Sequence, residues 1–463
     1  MTKNMTTGNP LKLIILFSIP VLLGNVFQQF YNMVDTIIVG RFLGEDALAA
    51  VGSTGSIVFL VIGFAMGIAQ GFGVMISHAF GAKDEKRLKH YVAVSLILGF
   101  IISVAMTILT VACSKHLLIF MKTPKNILTM ANDYITIIYA GLLATMFFNI
   151  SSAILRGVGD SKTPLYFLII SSALNVGLDL FFIVTLGMGP EGAAYATVIA
   201  QAIAAILCFI YMFWKFDILK IHKEDVYLDF RSCKDMLSIG IPMAINYSVT
   251  AVGVMILQSA VNVFGSGVVA SYTAASKVES LATQPMPTLG TTMATYCGQN
   301  LGAGKYDRIF DGMKKGLVIA LLLAGFGSLI TVGLGEFIVC WFLSEPTPEI
   351  LSYAMQYLNT IACFYIPLVL IYFYRNALQG LNRGFMPMIS GVFEMVCRVI
   401  IVIFMLKPFG YWAVRLASPA AWIGAGIPLA ITYYFWKKQT KKALLSASSL
   451  ESITDSKQPN RKS

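Results

Sequence analysis

Charge is what this chain is short of. Asp, Glu, Lys and Arg together make up only 12% of its 463 residues, where a soluble domain carries about 25%. Hydrophobic residues make up 57% and mean hydropathy is +0.74. Too little polar surface exists to cover the molecule in water, and a disordered or collagen-like chain is excluded by the same numbers. Clustered metal or redox chemistry is also missing. The seven cysteines are scattered, with no CxxC and no His/Cys group, and serve as small apolar filler. A Walker A loop is absent. The nearest text, Gly302-Ala-Gly-Lys305, runs into Tyr306 with no strand before it. There is no GxGxxG, no HExxH and no nucleophile elbow. An enzyme, an ATP-driven machine and a bound cofactor therefore have no support. The net charge of +11 is not a nucleic-acid surface, because the basic residues recur in short loops between apolar runs rather than in one patch.

Long apolar runs are what the chain has instead. A membrane helix needs about 20 mostly apolar residues, and twelve such runs stand near 12–39, 48–79, 91–113, 128–154, 165–186, 192–214, 236–263, 268–300, 316–342, 351–377, 386–406 and 416–436. Continuous apolar runs predict helices rather than a barrel of alternating strands. The first run is too long for a signal peptide, contains Pro20 and lacks a small-residue cleavage site. With the N-terminus placed in the cytoplasm, 26 of the 34 Lys and Arg fall on the cytoplasmic side, Arg156 and Arg375 among them. Six fall opposite, and Lys277 and Arg398 lie inside spans. That bias predicts an even span count with both termini cytoplasmic. The polar stretch from Lys437 to Ser463 is expected to be a disordered cytoplasmic tail.

The chain also repeats. Leu16-Phe-Ser-Ile-Pro20 returns as Leu237-Ser-Ile-Gly-Ile-Pro242. His78-Ala-Phe-Gly81-Ala82-Lys83 returns as Gln299-Asn-Leu-Gly302-Ala303-Gly304, and Arg156-Gly157 with Pro164 returns as Gln379-Gly380 with Pro387. The offsets are 222, 221 and 223 residues. Three collinear matches at one offset predict an internal duplication. The expected fold is an all-α polytopic membrane protein of twelve transmembrane helices in two pseudo-symmetric six-helix lobes. These are residues 1–215 and 236–436, joined by a cytoplasmic linker at 216–235. Duplicated helical halves are a transporter layout.

Ionisable residues inside a bilayer are expensive, and function is the default explanation for them. Glu336 lies near a helix end, within reach of water. Lys277 and Glu279 stand early in the eighth span, where they meet each other or an outer cavity. Glu394 and Arg398 are i,i+4 on the eleventh span and are expected to form an ion pair inside the second lobe. Asp35 and Asp179 differ, since no cation accompanies either in sequence. At 100° per residue Gln28, Tyr31 and Asp35 share one face of the first helix. Asn175 and Asp179 share a face of the fifth, and Thr197 and Gln201 a face of the sixth. Polar glue between helices would suit Asn or Thr but not two unpaired carboxylates. In the second half the Asp35 position falls near Ile256–Leu257 and the Asp179 position at Val402, so the acids belong to one half alone. Two acids close together in a low dielectric cannot both stay ionised cheaply. They share a proton and titrate together, or a hard cation neutralises them.

The stretch from Leu16-Phe-Ser-Ile-Pro20 through Tyr31-Asn-Met-Val-Asp35 to Gly40-Arg-Phe-Leu-Gly44, with Ala47-Leu-Ala-Ala50-Val-Gly52, resembles the first helix and turn of the MATE (multidrug and toxic compound extrusion) transporters. Gly298-Gln299-Asn300-Leu301-Gly302-Ala303 is similar to that family's eighth-helix ending. The resemblance covers about residues 10–437, on the side of the bacterial branches with an acid site in the N-terminal lobe. It implies an inner-membrane antiporter, acting as a monomer, that exports cationic amphipathic drugs or dyes in exchange for H⁺ or Na⁺. It implies Asp35, Asn175, Asp179 and Thr197 as the coupling-ion site, Gln28, Tyr31 and Asn149 as cavity lining, and Pro20 as a hinge. Gln201 stands where a less polar cavity residue is expected. Acids on helices seven and ten, used elsewhere in the family, are absent here. The alternative is a lipid-linked oligosaccharide flippase, which has similar topology but needs a strongly cationic cavity for pyrophosphate.

Overall fold

The computed structural model describes residues 4–121, 123–343 and 347–455. Among these the chain is helical, without strands. The first half contains α1 (Pro10–Leu43), α2 (Glu45–Gly81), α3 (Glu85–Phe120), α4 (Leu128–Ala140), α5 (Leu142–Gly157), α6 (Lys162–Asp179) and α7 (Pro190–Lys215). The second contains α8 (Phe230–Asn262), α9 (Ser266–Thr283), α10 (Pro285–Gly302), α11 (Tyr306–Phe342), α12 (Pro348–Ala362), α13 (Tyr365–Gly380), α14 (Phe385–Phe409) and α15 (Tyr411–Asp455). Nine of the helices are long and apolar enough to cross a membrane, and the bent pairs α4–α5 and α12–α13 bring the number to eleven. The expected span at 268–300 is the exception. It is two 18-residue helices, α9 and α10, joined at Gln284 and Pro285, and its run of Thr, Ser and Gln makes it the least apolar of the twelve. Its bounds equal those of α2 shifted by 221 residues, so the repeat seen in sequence recurs element by element in the structure.

Two expected boundaries move. The linker is shorter than 216–235, because Asp229 accepts the Ser232 N–H and starts α8 at Phe230. This N-cap bond and the neighbouring His90 hold the Asp229 carboxyl down at about 2. The tail expected to be disordered from residue 437 instead continues α15 as far as Asp455. Lys437, Lys438, Lys441, Lys442, Ala443, Leu444 and Leu445 are good helix formers, and the Lys437 and Lys441 ammoniums lie 5.7 and 5.5 Å from the Phe310 ring centre. The rest of that tail, residues 456–463, lies outside the described residues.

The halves meet closely at one end, the one that carries most of the Lys and Arg loops. A Cβ added to Gly81 of α2 would fall 1.9 Å from the Gln299 carbonyl oxygen, and one added to Gly302 of α10 would fall 2.0 Å from that of His78. Only glycine lets the two helices come this near. The same positions exchange hydrogen bonds in a two-fold pattern. His78 Nε2–H donates to the Gly380 carbonyl at 2.7 Å, and Gln299 Nε2–H donates to the Gly157 carbonyl at 2.9 Å. His78 and Gln299 are repeat partners, as are Gly157 and Gly380. A strap at the N-terminus reinforces this end. Met5, fully buried, donates its N–H to Gln299 Oε1, and its carbonyl accepts from Asn300 Nδ2 and Arg308 Nη2. Thr6 and Gly8 carbonyls accept from Lys305 and Arg308.

The symmetry of the latch gives a test. His78→Gln copies what the second half already uses and should leave thermal unfolding of the detergent-solubilised protein unchanged. His78→Ala strands a buried carbonyl at a cost of about 1–3 kcal/mol and should lower the melting temperature. Gly81→Ala should lower it further, by overpacking. Equal melting of all four proteins would mean that the two helix ends do not meet.

Candidate functional site

The acids expected from sequence converge inside the first half. Asp35 projects from α1 and Asp179 ends α6, fully buried. Their carboxyl groups come close enough for a proton on one to bridge to the other. Without that proton both oxygens of Asp179 and one of Asp35 find no hydrogen-bond donor, and the buried Asn175 Oδ1 also lacks one. Asn175 Nδ2 donates to Thr197 Oγ1 at 3.3 Å, so two of the four residues expected to hold the coupling ion join α6 to α7. Acceptors left bare in a buried site cost free energy. A proton or a hard cation removes that cost, and two carboxylates with an amide and a hydroxyl oxygen suit Na⁺ chemically. No group of three or more His, Cys, Asp and Glu able to hold a metal occurs among the described residues.

Local winding helps to position Asp179. Directly after it, Leu180–Thr185 takes up π-helical winding, a distortion that recurs at functional sites because it frees backbone groups and re-aims side chains. No residue type in Leu180–Thr185 announces this. Sequence reasoning also missed Tyr134 of α4, nearly buried, whose hydroxyl stands in the electrostatic reach of Asp35, Asp179 and Tyr31. Its signal was faint, a tyrosine one residue after Asp133 in a run read only as a span.

The expected cavity residues sort themselves. Tyr31 sits against the Gln201 amide and Asp35. Gln201 Oε1 also accepts from the Thr145 hydroxyl, so it belongs to this polar group and ties α1, α5 and α7 together. Asn149 Nδ2 instead donates to its own helix, at Thr145 O, 2.8 Å. Gln28 is half-buried, while three residues earlier Asn25 donates to Thr288 of α10 at 3.0 Å and Ser18 pairs with Thr292 at 2.8 Å. Helix α1 thereby touches the second half along a polar edge. Pro20 is buried within α1, which runs unbroken through it.

The second half holds charges of its own. Glu394 and Arg398 do pair, at 3.5 Å, but a second arginine is closer, with Arg375 Nη2 at 2.9 Å from the other Glu394 oxygen. The sequence counts Arg375 on the cytoplasmic side, at the end of the 351–377 run. It is 8% exposed within α13, which continues past that run to Gly380. Lys277 is exposed, and Glu279 bonds the Tyr357 hydroxyl at 2.9 Å rather than Lys277. Glu336 is exposed, near the end of α11.

A family model described as MatE matches residues 20–181 and again 242–404. The chain belongs to the MatE family. It is similar to the Probable multidrug resistance protein YpnP of Bacillus subtilis (strain 168), 30% identical over 441 residues that span 93% of this chain and 94% of the relative. The Probable multidrug resistance protein NorM of Thermotoga maritima is 26% identical over 446 residues, 94% of each chain. Among solved structures, the outward-facing conformation of a multidrug resistance MATE family transporter superposes with a TM-score of 0.86 at 25% identity, covering 96% of this chain and 99% of the other. MatE proteins are membrane transporters, and this chain is a multi-pass member. The double match of the family model falls on the two halves that the offset of about 222 residues delimits.

The bare acceptors yield a prediction. Asp179→Asn removes one charge and supplies an N–H to Asp35, so in alkaline, Na⁺-free buffer it should raise the melting temperature, by about 1–3 kcal/mol of stability. A lower melting temperature in that variant would show that the two carboxyl groups do not face each other.

Proposed function

We propose that this MatE protein is a secondary active multidrug efflux transporter. It exports cationic amphipathic compounds in exchange for H⁺ or Na⁺ across a bacterial inner membrane, with both termini in the cytoplasm and one chain as the working unit. The observation that carries this reading is the Asp35–Asp179 pair, two carboxyl groups in an apolar bundle with donor-less oxygens. The names of the relatives, multidrug resistance proteins over nearly the full length, support the drug cargo. The excess of Lys and Arg at the latched end supports a cytoplasmic location for that end.

The work is done by differential affinity. With the cleft open away from the latch, an entering ion neutralises the acids and weakens the hold on a cationic cargo. The loaded chain then rocks to the other state, and loss of the ion on the cytoplasmic side restores the negative charge that draws the next cargo. Each tenfold difference in affinity between the two states needs about 1.4 kcal/mol. One charge interaction at partly desolvated distance is enough to supply that. Pro20 lies in the first third of α1, shortly after Ser18, which pairs with Thr292. A bend there loses no backbone hydrogen bond from Pro20, which has no N–H to donate.

The flippase alternative gains something from Arg375, a buried cation that the sequence counts on the cytoplasmic side. It still has less support, since Glu394 binds Arg375 and Arg398 together and the acid pair suits a positive cargo.

Asp35→Asn should abolish ethidium resistance in a pump-deficient host at unchanged protein level, and normal resistance would overturn the coupling role. In proteoliposomes with H⁺ and Na⁺ gradients imposed separately, drug flux should follow one of them. Flux independent of both would rule out antiport.

A further inference from the structure

The polar floor of the cleft between the halves presents donors without acceptors. Arg156 of α5 and Gln70 of α2 line a small cavity there, closed on the other side by Met243 of α8 and Thr291 and Thr295 of α10. The Arg156 side chain makes no ion pair or hydrogen bond among the described residues, and the groups it feels are the Tyr247 hydroxyl and the Cys208 thiol. The nearest acid in sequence, Asp160, spends its oxygens on the Lys162 and Thr163 N–H groups and the Thr163 hydroxyl. Tyr247 of α8 stands between two guanidiniums, within the electrostatic reach of both Arg156 and Arg375. Its oxygen already accepts from Gln70 Nε2 at 2.8 Å, which leaves its own proton to be donated. Arg375 has a spare donor too. Glu394 takes its Nη2, while Arg375 Nε and Arg398 Nε and Nη1 find no acceptor. Arg375 and Arg398 thus share the one carboxylate of Glu394, Glu279 is occupied by Tyr357, and the Arg156 side chain pairs with no carboxylate among the described residues.

We propose that this floor receives an anionic group of the cargo, a carboxylate held by Arg156 and the Tyr247 hydroxyl with Arg375 behind them. The half-buried Arg156 side chain lines this cavity without an acceptor, so its donors are open to a group of the cargo that reaches the floor. A carboxylate there accepts charge-assisted hydrogen bonds, which guanidinium geometry suits. The cargo class is then a zwitterionic amphiphile, its ammonium drawn by the acid pair and its carboxylate by the floor. This deepens the efflux reading and rests on it for transport, but binding at the floor can be measured without transport.

The test compares norfloxacin, which carries an ammonium and a carboxylate, with its ethyl ester, which keeps only the ammonium. Equilibrium dialysis uses the full-length protein in detergent. The wild type is expected to bind the acid about tenfold more tightly than the ester. Arg156→Gln is expected to erase that preference while leaving the ester unchanged, and Arg156→Lys to keep most of it. Unchanged ester binding doubles as the control for folding. If Arg156→Gln is not recovered intact, Tyr247→Phe is expected to shrink the preference about threefold, and no loss there overturns the proposal. Equal binding of acid and ester by the wild type, or equal weakening of both by Arg156→Gln, also overturns it. Absence of ethidium flux in the wild type itself would instead count against the efflux reading.

Discussion

At Gly81 and Gly302 two helices from opposite halves approach until no side-chain atom fits between backbone and backbone. The rest of the architecture follows from that contact. Packing at this distance pins one end of the molecule and makes the cleft one-sided. The pin is two-fold symmetric, with repeat partners His78 and Gln299 bonding the repeat-related carbonyls of Gly380 and Gly157. A symmetric pin is a natural pivot for two similar bodies, because the same geometry serves both and neither has to deform. It is not wholly symmetric, since the strap at Met5, Thr6 and Gly8 ties only the N-terminal end of the chain to the second half. Opening this end would require those bonds to part together with the glycine contact, which sets the closed state apart by several small terms rather than one large one.

The duplication kept the scaffold and divided the chemistry. In the first half the bundle buries Asp35 and Asp179. In the second, Ile256–Leu257 and Val402 stand at the corresponding places, and a cluster of opposite balance has grown from Arg375, Glu394 and Arg398. Neither cluster is a stability device. A pair of like charges destabilises its surroundings, and a buried ion pair gains little over apolar packing of the same volume. Both persist at a cost in folding free energy, and a binding role for the acids gives a reason for bearing it.

Much of this was legible in sequence. Apolar run length gave eleven spans that also pass on length and apolarity in the structure, and three short matches at one offset anticipated the correspondence of elements. The i,i+4 spacing of Asn175 and Asp179 put them on one face, where the structure has them. What was not legible is local and cooperative. The breaks at Gly141, Gln284 and Phe364 fall inside apolar runs, where hydropathy is blind to a bend. The π winding after Asp179 has no composition. Arg375 counts with the cytoplasmic cations because it stands at the end of its run, and only the fold shows that this end packs between neighbours. The tail beyond Trp436 was judged on charge alone, while its helix propensity and the Phe310 ring decided its form as far as Asp455.

Charge separation also bears on how an ion can move a cargo of mixed charge. In the proposed exchange the acids would change their net charge when H⁺ or Na⁺ arrives, whereas guanidiniums stay protonated throughout the accessible pH range. A purely cationic cargo feels the whole of that change. For a zwitterion only the ammonium end feels it, and the carboxylate end is held by a constant field. Neutralising the acids then loosens one end first and lets the molecule pivot about the other. Release becomes stepwise, with the last contact at the floor, next to the pin formed by Gly81 and Gly302. Since the floor is lined by α2, α5, α8 and α10, the helices that carry the last contact are the ones that must separate when the pin opens. In the proposed cycle, parting of the pin would pull Arg156 away from Tyr247 and dismantle the proposed carboxylate site.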